Sequence, residues 1–246
     1  MTAASTKRKR GFRQGSFSSS ATVIGARVPS LPRISATLAA ETGASAIHWN
    51  RPYTSSGSDE KIAAQLSSVG IRPIGHAGHL LFEPDSLKTG SNGFYKVFTP
   101  FWRACRARPA PRPPLATPER IVSPGFPASD VLEDWRLLPH APDWAGGLRR
   151  SWQPGERAAR RQLAAFRDQA LGSYASRRDR PDIYSTSRLS PYLAFGELSV
   201  RQVFASVATT PPGEARERFL SELGWREFAY HLSHHLGGLT ERNFRP

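Results

Sequence analysis

The stretch Thr186-Ser187-Arg188-Leu189-Ser190-Pro191-Tyr192-Leu193-Ala194-Phe195-Gly196-Glu197-Leu198-Ser199 gathers three hydroxyls and a guanidinium into its first five residues. Pro191 comes next, a residue that suits the first turn of a helix. Hydroxyls and unpaired amides at a helix start are donors for phosphate oxygens, and Arg188 adds positive charge. On chemistry alone the same residues also read as an ordinary helix cap. At the far end Ser199 reads as the N-cap of a further helix, Ser199 to Val207.

Helical periodicity flanks this stretch on both sides. Between Gly155 and Arg178, the residues Leu163, Phe166, Ala170 and Tyr174 fall at spacings of 3, 4 and 4, which predicts one amphipathic helix. Glu214 to Leu236 predicts the longest helix and holds Glu222-Leu223-Gly224-Trp225-Arg226-Glu227-Phe228. Trp225 and Arg226 stand three and four residues after Glu222, so all three are expected on one face. A carboxylate beside an exposed indole suits a flat heterocycle, which stacks on the ring and bonds the acid. The plainer reading is a Glu222–Arg226 surface pair, about 0.3–0.5 kcal/mol, beside a core tryptophan. His231 and His235 share the spacing of a metal pair, but no nearby acid or cysteine completes it. The histidines therefore read as structural or surface residues, and no metal is assigned.

Upstream, residues 106–127 hold 7 prolines, the composition of an extended linker, which we place at 106–128. Before it, Ile34 to Thr42 reads as a helix stopped at Gly43, and Ala44 to Asn50 as a short buried strand. Asp59 to Val69 reads as a helix stopped at Gly70, and Ile71 to Ile74 as a second strand, with Pro73 marking an edge. Alternating helix and strand predicts an α/β unit with a parallel sheet, though two strands make an incomplete one. The fold class is thus α/β, a partial Rossmann-like sheet, followed by an all-α unit. Thr89-Gly90-Ser91-Asn92-Gly93 lacks the Lys-Ser/Thr ending of a P-loop and reads as a turn.

The net charge of +14 points to an anionic partner such as nucleic acid or phosphate. Residues 1–40 contain seven basic residues and no acid, so half of that charge lies in a Ser/Gly/Arg-rich leader, expected to be disordered over 1–30. The single cysteine, Cys105, excludes an internal disulfide framework. No apolar run approaches the roughly 20 residues of a membrane span, and no secretory signal is seen, so a cytoplasmic protein is expected.

Taken in order, Trp49-Asn50-Arg51, Tyr95 to Phe101, Thr186 to Ser199 and Glu222 to Phe228 resemble the DNA photolyase/cryptochrome family, most closely the bacterial cyclobutane-dimer photolyases. The resemblance runs from about Leu31 to Pro246. It implies a partial photolyase α/β domain over 31–105 and the N-terminal part of a helical FAD-binding domain over 129–246. It implies FAD as cofactor, with Tyr174 contacting the flavin cofactor, Thr186, Ser187, Arg188, Leu189 and Ser190 holding its phosphates, and Arg226 between flavin and lesion. It implies Glu222 and Trp225 as the pair that meets a pyrimidine dimer in damaged DNA, with Leu223 to Tyr230 on the DNA-facing side. The implied activity is light-driven, a carbon–carbon lyase reaction; a cryptochrome-like photoreceptor and a non-catalytic DNA-binding remnant are the alternatives.

Three departures qualify the resemblance. The family's opening strands, with their Arg-Arg-Asp-Leu-Arg type motif, have no counterpart in the leader. The helical stretch that the family carries beyond Asn243-Phe244-Arg245-Pro246 is also missing, so truncation at both ends and weakened or lost flavin binding are expected. The loop Tyr53 to Asp59 differs from the antenna-folate segment of some relatives, so no antenna chromophore is assigned.

Overall fold

The computed structural model describes residues 22–23, 26–27, 31–53, 58–122, 127–139, 141–237, 239 and 243–244. Most of the leader expected over 1–30 therefore lies outside the described residues, as does the middle of the loop between Tyr53 and Asp59. Within the leader, β1 (Thr22–Val23) and β2 (Ala26–Arg27) pair antiparallel.

Two helix–strand units follow. Helix α1 (Leu31–Thr42) stops at Gly43, whose φ of +65° suits a residue without Cβ, and β3 (Ala46–Asn50) begins three residues later. Helix α2 (Ser58–Ser68) stops at Gly70, φ +79°, and leads into β4 (Arg72–His76). Asp59 and Glu60 in the first turn of α2 complement its dipole. Asp59 Oδ2 also accepts the Trp49 indole N–H at 2.8 Å, tying helix to strand. β3 and β4 pair parallel, from Ala46 opposite Arg72 to Asn50 opposite His76. Pro73 has no N–H to give, and among the described residues β4 has one neighbour, so no ladder bond is lost. Ala39, Leu66 and Ile71 form a small core beneath this layer, with Ile47, Trp49 and Ile62 packed against it.

The segment after β4 docks on the helical half. It carries a 3-10 turn at Pro84–Ser86 and then helix α3 (Phe98–Arg106). Leu87, Phe101 and Cys105 are buried with Phe228 and Leu232 of the long last helix. The proline-rich stretch that follows is exposed, with Leu115, Ile121 and Val122 open to solvent. A 3-10 turn at Leu132–Trp135 leads to α4 (Gly146–Ser151).

The continuous helix expected over 155–178 is interrupted. Helix α5 (Glu156–Ala165) passes into a π turn at Phe166–Ala170 and a 3-10 turn at Leu171–Ser173, then into α6 (Tyr174–Arg177). Gly172 weakens the helix here, and the wider π turn shifts its phase. That shift buries Leu171, which the regular spacing left outside the apolar stripe, together with Phe166 and Tyr174. Helices α7 (Ser190–Ala194) and α8 (Val200–Ala208) come next. Ser199 caps α8 as expected: its Oγ accepts the Gln202 amide at 3.2 Å while Gln202 Oε1 accepts the Ser199 amide at 2.8 Å. Helix α9 (Glu214–Leu236) closes the structure and has the bounds its periodicity predicted. Its Phe219, Leu220 and Leu223 join Leu163, Phe166, Tyr174, Leu189 and Val203 in the main core.

Candidate functional site

The loop between α6 and α7 is fixed from below. Ser185 is buried and its hydroxyl donates to the Arg177 carbonyl at 2.6 Å. Gln162 of α5 donates to the Ser187 carbonyl at 2.9 Å. Past the loop, the Tyr192 hydroxyl donates to the Gln153 carbonyl at 3.0 Å, and Glu197 Oε1 accepts the Gly155 amide at 2.7 Å. These bonds hold Thr186 to Ser190 as one wall of a cleft of about 360 Å³. The other walls are Tyr174 and Leu193, with Phe219, Glu222, Leu223 and Arg226 of α9.

Charge in the cleft is mixed. Glu222 pairs with Arg178, and this bond raises the guanidinium's pKa. Burial raises the Tyr174 hydroxyl, and the Arg178 guanidinium lies 5.4 Å from the centre of its ring. Arg188 holds a left-handed backbone, φ +53°. Its guanidinium lies 4.4 Å from the Trp152 ring centre and 5.5 Å from that of Tyr184, and it reaches the Ser151 carbonyl at 3.3 Å.

Arg226 is held from the opposite side. It donates to the His79 carbonyl at 3.1 Å, to His79 Nε2 at 2.9 Å and to Glu227 Oε1 at 3.0 Å. Burial, and then the Arg226 charge, lower the His79 pKa, so a neutral imidazole accepts that bond. Glu227 is itself buried and takes the Leu81 and Phe82 amides at 2.7 and 3.3 Å.

Of the residues named from the sequence, Tyr174, Thr186, Ser187, Arg188, Leu189, Ser190, Glu222 and Arg226 converge on this one cleft. Trp225 does not line it. The single face expected for Glu222, Trp225 and Arg226 divides, because a residue three positions on and one four positions on diverge by a full 100°. Trp225 stacks on Phe98, centroids 3.8 Å apart, in a separate apolar groove with Phe228 and Leu232. Tyr230 sets its ring edge-on to His79 at 4.8 Å, with the Arg226 guanidinium 4.9 Å from its centre. The simple Glu222–Arg226 pair gives way to Glu222–Arg178 and Arg226–Glu227.

Arg178, His79 and Glu227 were not found from the sequence. Arg178 is one of three arginines in Arg177-Arg178-Asp179-Arg180, and nothing local says which turns inward. His79 meets Arg226 across 147 positions and Glu227 meets Leu81 across 146, distances no local pattern spans.

The donor set fits an anionic, phosphate-bearing ligand. Three hydroxyls and a guanidinium edge one wall, and Arg226 stands on another, with Arg178 paired to the Glu222 of that wall. The cleft lies at the low end of ligand pockets, about 300–1,000 Å³, the size of part of a dinucleotide. Among the described residues no helix is long and apolar enough to cross a membrane.

Comparison with known proteins agrees with the sequence resemblance. A family model described as DNA photolyase matches residues 26–119. A deoxyribodipyrimidine photo-lyase of Agrobacterium fabrum is 40% identical over 218 residues, covering 86% of this chain and 46% of that protein. An uncharacterized 31.6 kDa protein of Synechococcus sp. strain PCC 6716 is 34% identical over 215 residues, covering 80% of this chain and 70% of its own. The crystal structure of a bacterial class III photolyase from Agrobacterium tumefaciens superposes with a TM-score of 0.83 at 39% identity, over 87% of this chain and 46% of that one. The chain thus spans about half the length of the photolyases it matches.

Proposed function

This chain belongs to the DNA photolyase/cryptochrome family, and on that premise we propose that its cleft is the phosphate-side half of an FAD site serving light-driven repair of pyrimidine dimers in DNA. The observation that carries the reading is the convergence of Tyr174, Thr186 to Ser190, Glu222 and Arg226, from three separate segments, on one cleft. In this reading Thr186, Ser187 and Ser190 bond the pyrophosphate oxygens and Arg188 neutralises their charge. Tyr174 packs against the cofactor, with the Arg178–Glu222 pair closing the same end.

Reduced flavin, when bound, would lend the dimer a light-excited electron and take it back once the two ring bonds have broken, with no net oxidation. The chain's own work is positional. Glu222 takes a hydrogen bond from the dimer, exchanging its bond to Arg178 for one to the lesion. Trp225, 48% exposed and stacked on Phe98, offers an indole face to the flipped dimer. A damaged, poorly stacked base leaves the duplex at reduced cost. The site of action is then chromosomal DNA in the cytoplasm.

The test is to incubate the purified chain with FAD, follow flavin fluorescence and near-ultraviolet absorbance, and then illuminate dimer-containing oligonucleotides. Saturable flavin binding is expected, weakened by Ser187→Ala and Arg188→Ala. Glu222→Ala should keep the flavin while losing preference for dimer-containing DNA. A folded chain that leaves flavin fluorescence unchanged overturns the cofactor site. Flavin bound without any preference for damaged DNA supports a photoreceptor instead.

A further inference from the structure

At its C-terminal end α9 meets the turn Pro84–Ser86. His234 Nε2 lies 3.0 Å from Asp85 Oδ1, across 149 positions of sequence. His235 lies beside them, and its Nε2 is buried with no hydrogen-bond partner. A buried imidazole nitrogen without a partner is an unsatisfied polar atom, which coordination to an ion would satisfy. Asp85, His234 and His235 each bring one ligand atom within 4.8 Å of the others.

We propose that Asp85, His234 and His235 form a binding site for a divalent transition-metal ion of the zinc type, with water completing a four-coordinate shell. Two imidazoles and a carboxylate suit zinc, whereas magnesium and calcium take oxygen ligands. With bonds of about 2.0–2.2 Å, neighbouring ligands of a tetrahedral ion stand about 3.4 Å apart. Reaching that spacing takes side-chain rotations, which Asp85 and His234, 78% and 33% exposed, have room to make. The ion would staple the turn to the end of α9. His231 is outside the site, since its Nε2 accepts the Tyr95 amide at 3.2 Å and its ring is buried. The pair His48 and His76, 2.8 Å apart on the strands, is a separate two-histidine contact and serves as a control.

The test is calorimetric titration of the chelator-treated chain with Zn²⁺, alongside visible absorbance with Co²⁺. Expected are one saturable Zn²⁺ site per chain, the intense visible bands of four-coordinate cobalt, and no competition from Mg²⁺. Asp85→Ala and His234→Ala, both on the surface, should each weaken Zn²⁺ binding by at least about tenfold, and His48→Ala should leave it unchanged. The proposal is overturned by the absence of saturable Zn²⁺ uptake, by uptake that either of the first two variants leaves intact, or by uptake that His48→Ala abolishes.

Discussion

Glu227 and His231 lie one turn apart on α9, both buried, with pKa values displaced in opposite directions. Burial pushes the Glu227 carboxyl up from 4.5 to about 7, against the lowering pull of Arg226 and two backbone amides. Burial, helped by the charges of His235 and His234, pushes His231 down from 6.5 to about 4. Between pH 4.5 and 6.5 the folded Glu227 binds more protons than the unfolded one, so its contribution to stability falls as pH rises. Over the same window the folded His231 binds fewer protons, so its contribution rises. The two slopes nearly cancel in the native chain. Glu227→Gln should uncover the histidine slope, a gain of roughly 2–3 kcal/mol from pH 4.5 to 6.5, and His231→Gln the opposite loss. Urea midpoints across that range decide it: two variants with the native pH profile would remove the argument. Arg188 gives a second prediction. Its left-handed backbone costs about 1 kcal/mol, similar to what its contact with Trp152 returns. Arg188→Gly should therefore leave the thermal midpoint nearly unchanged while flavin affinity drops; a large loss of stability would show that the ring contact dominates. The hydroxyls of Thr186 to Ser190 were legible as chemistry, because donor types are visible one residue at a time. Glu227 was not, since an acid at a buried helix position looks in sequence like any solvated one.

Between helices, α9 lies close against α3 at Gly224. A Cβ built on Gly224 would stand 2.6–2.9 Å from three ring atoms of Trp102. Gly224→Ala gains up to about 1 kcal/mol of helix propensity but forces an indole to move in a packed core, which costs about 1–3 kcal/mol. Net destabilisation is expected, and a lower urea midpoint would show it. A midpoint above that of the native chain would mean that Trp102 yields freely. At this scale much was readable. Gly43, Gly70 and Ser199 mark boundaries through backbone geometry and capping, which are local, and α9 followed its periodicity from end to end. Helix α3 was not read as a helix, because aromatic residues crowd around Pro100. A proline in the first turn forfeits no intrahelical bond, so the helix forms regardless. The π turn after α5 was less legible: Gly172 weakens the helix locally, but the regular stripe satisfied a plain helix, and the burial of Leu171 that accompanies the wider turn is tertiary.

Across the whole molecule, the contacts that matter most pass over the proline-rich stretch. That stretch reads in sequence as a border, yet Leu81 donates to Glu227 across 146 positions. Leu87 and Phe101, upstream of it, are buried against Phe228 and Leu232, downstream. Sequence periodicity reports which face of an element is apolar but not which element covers it, so this docking could not be foreseen. Removing Leu87 and Phe101 alone would forfeit about 1.5–3 kcal/mol each, a large share of a typical stability of about 5–15 kcal/mol. Glu227 would also lose the two amides it accepts, adding about 1–3 kcal/mol. The small core of α1, α2, β3 and β4 is by contrast built from its own residues, Ala39, Leu66 and Ile71. A protein of residues 77–246 should therefore unfold in one cooperative urea transition, while one of residues 129–246 should not. Tryptophan fluorescence and amide dispersion distinguish them. Cooperative unfolding of the shorter chain would show that the helical half stands without the segment docked on α9, and that the buried bonds of Glu227 are dispensable to it.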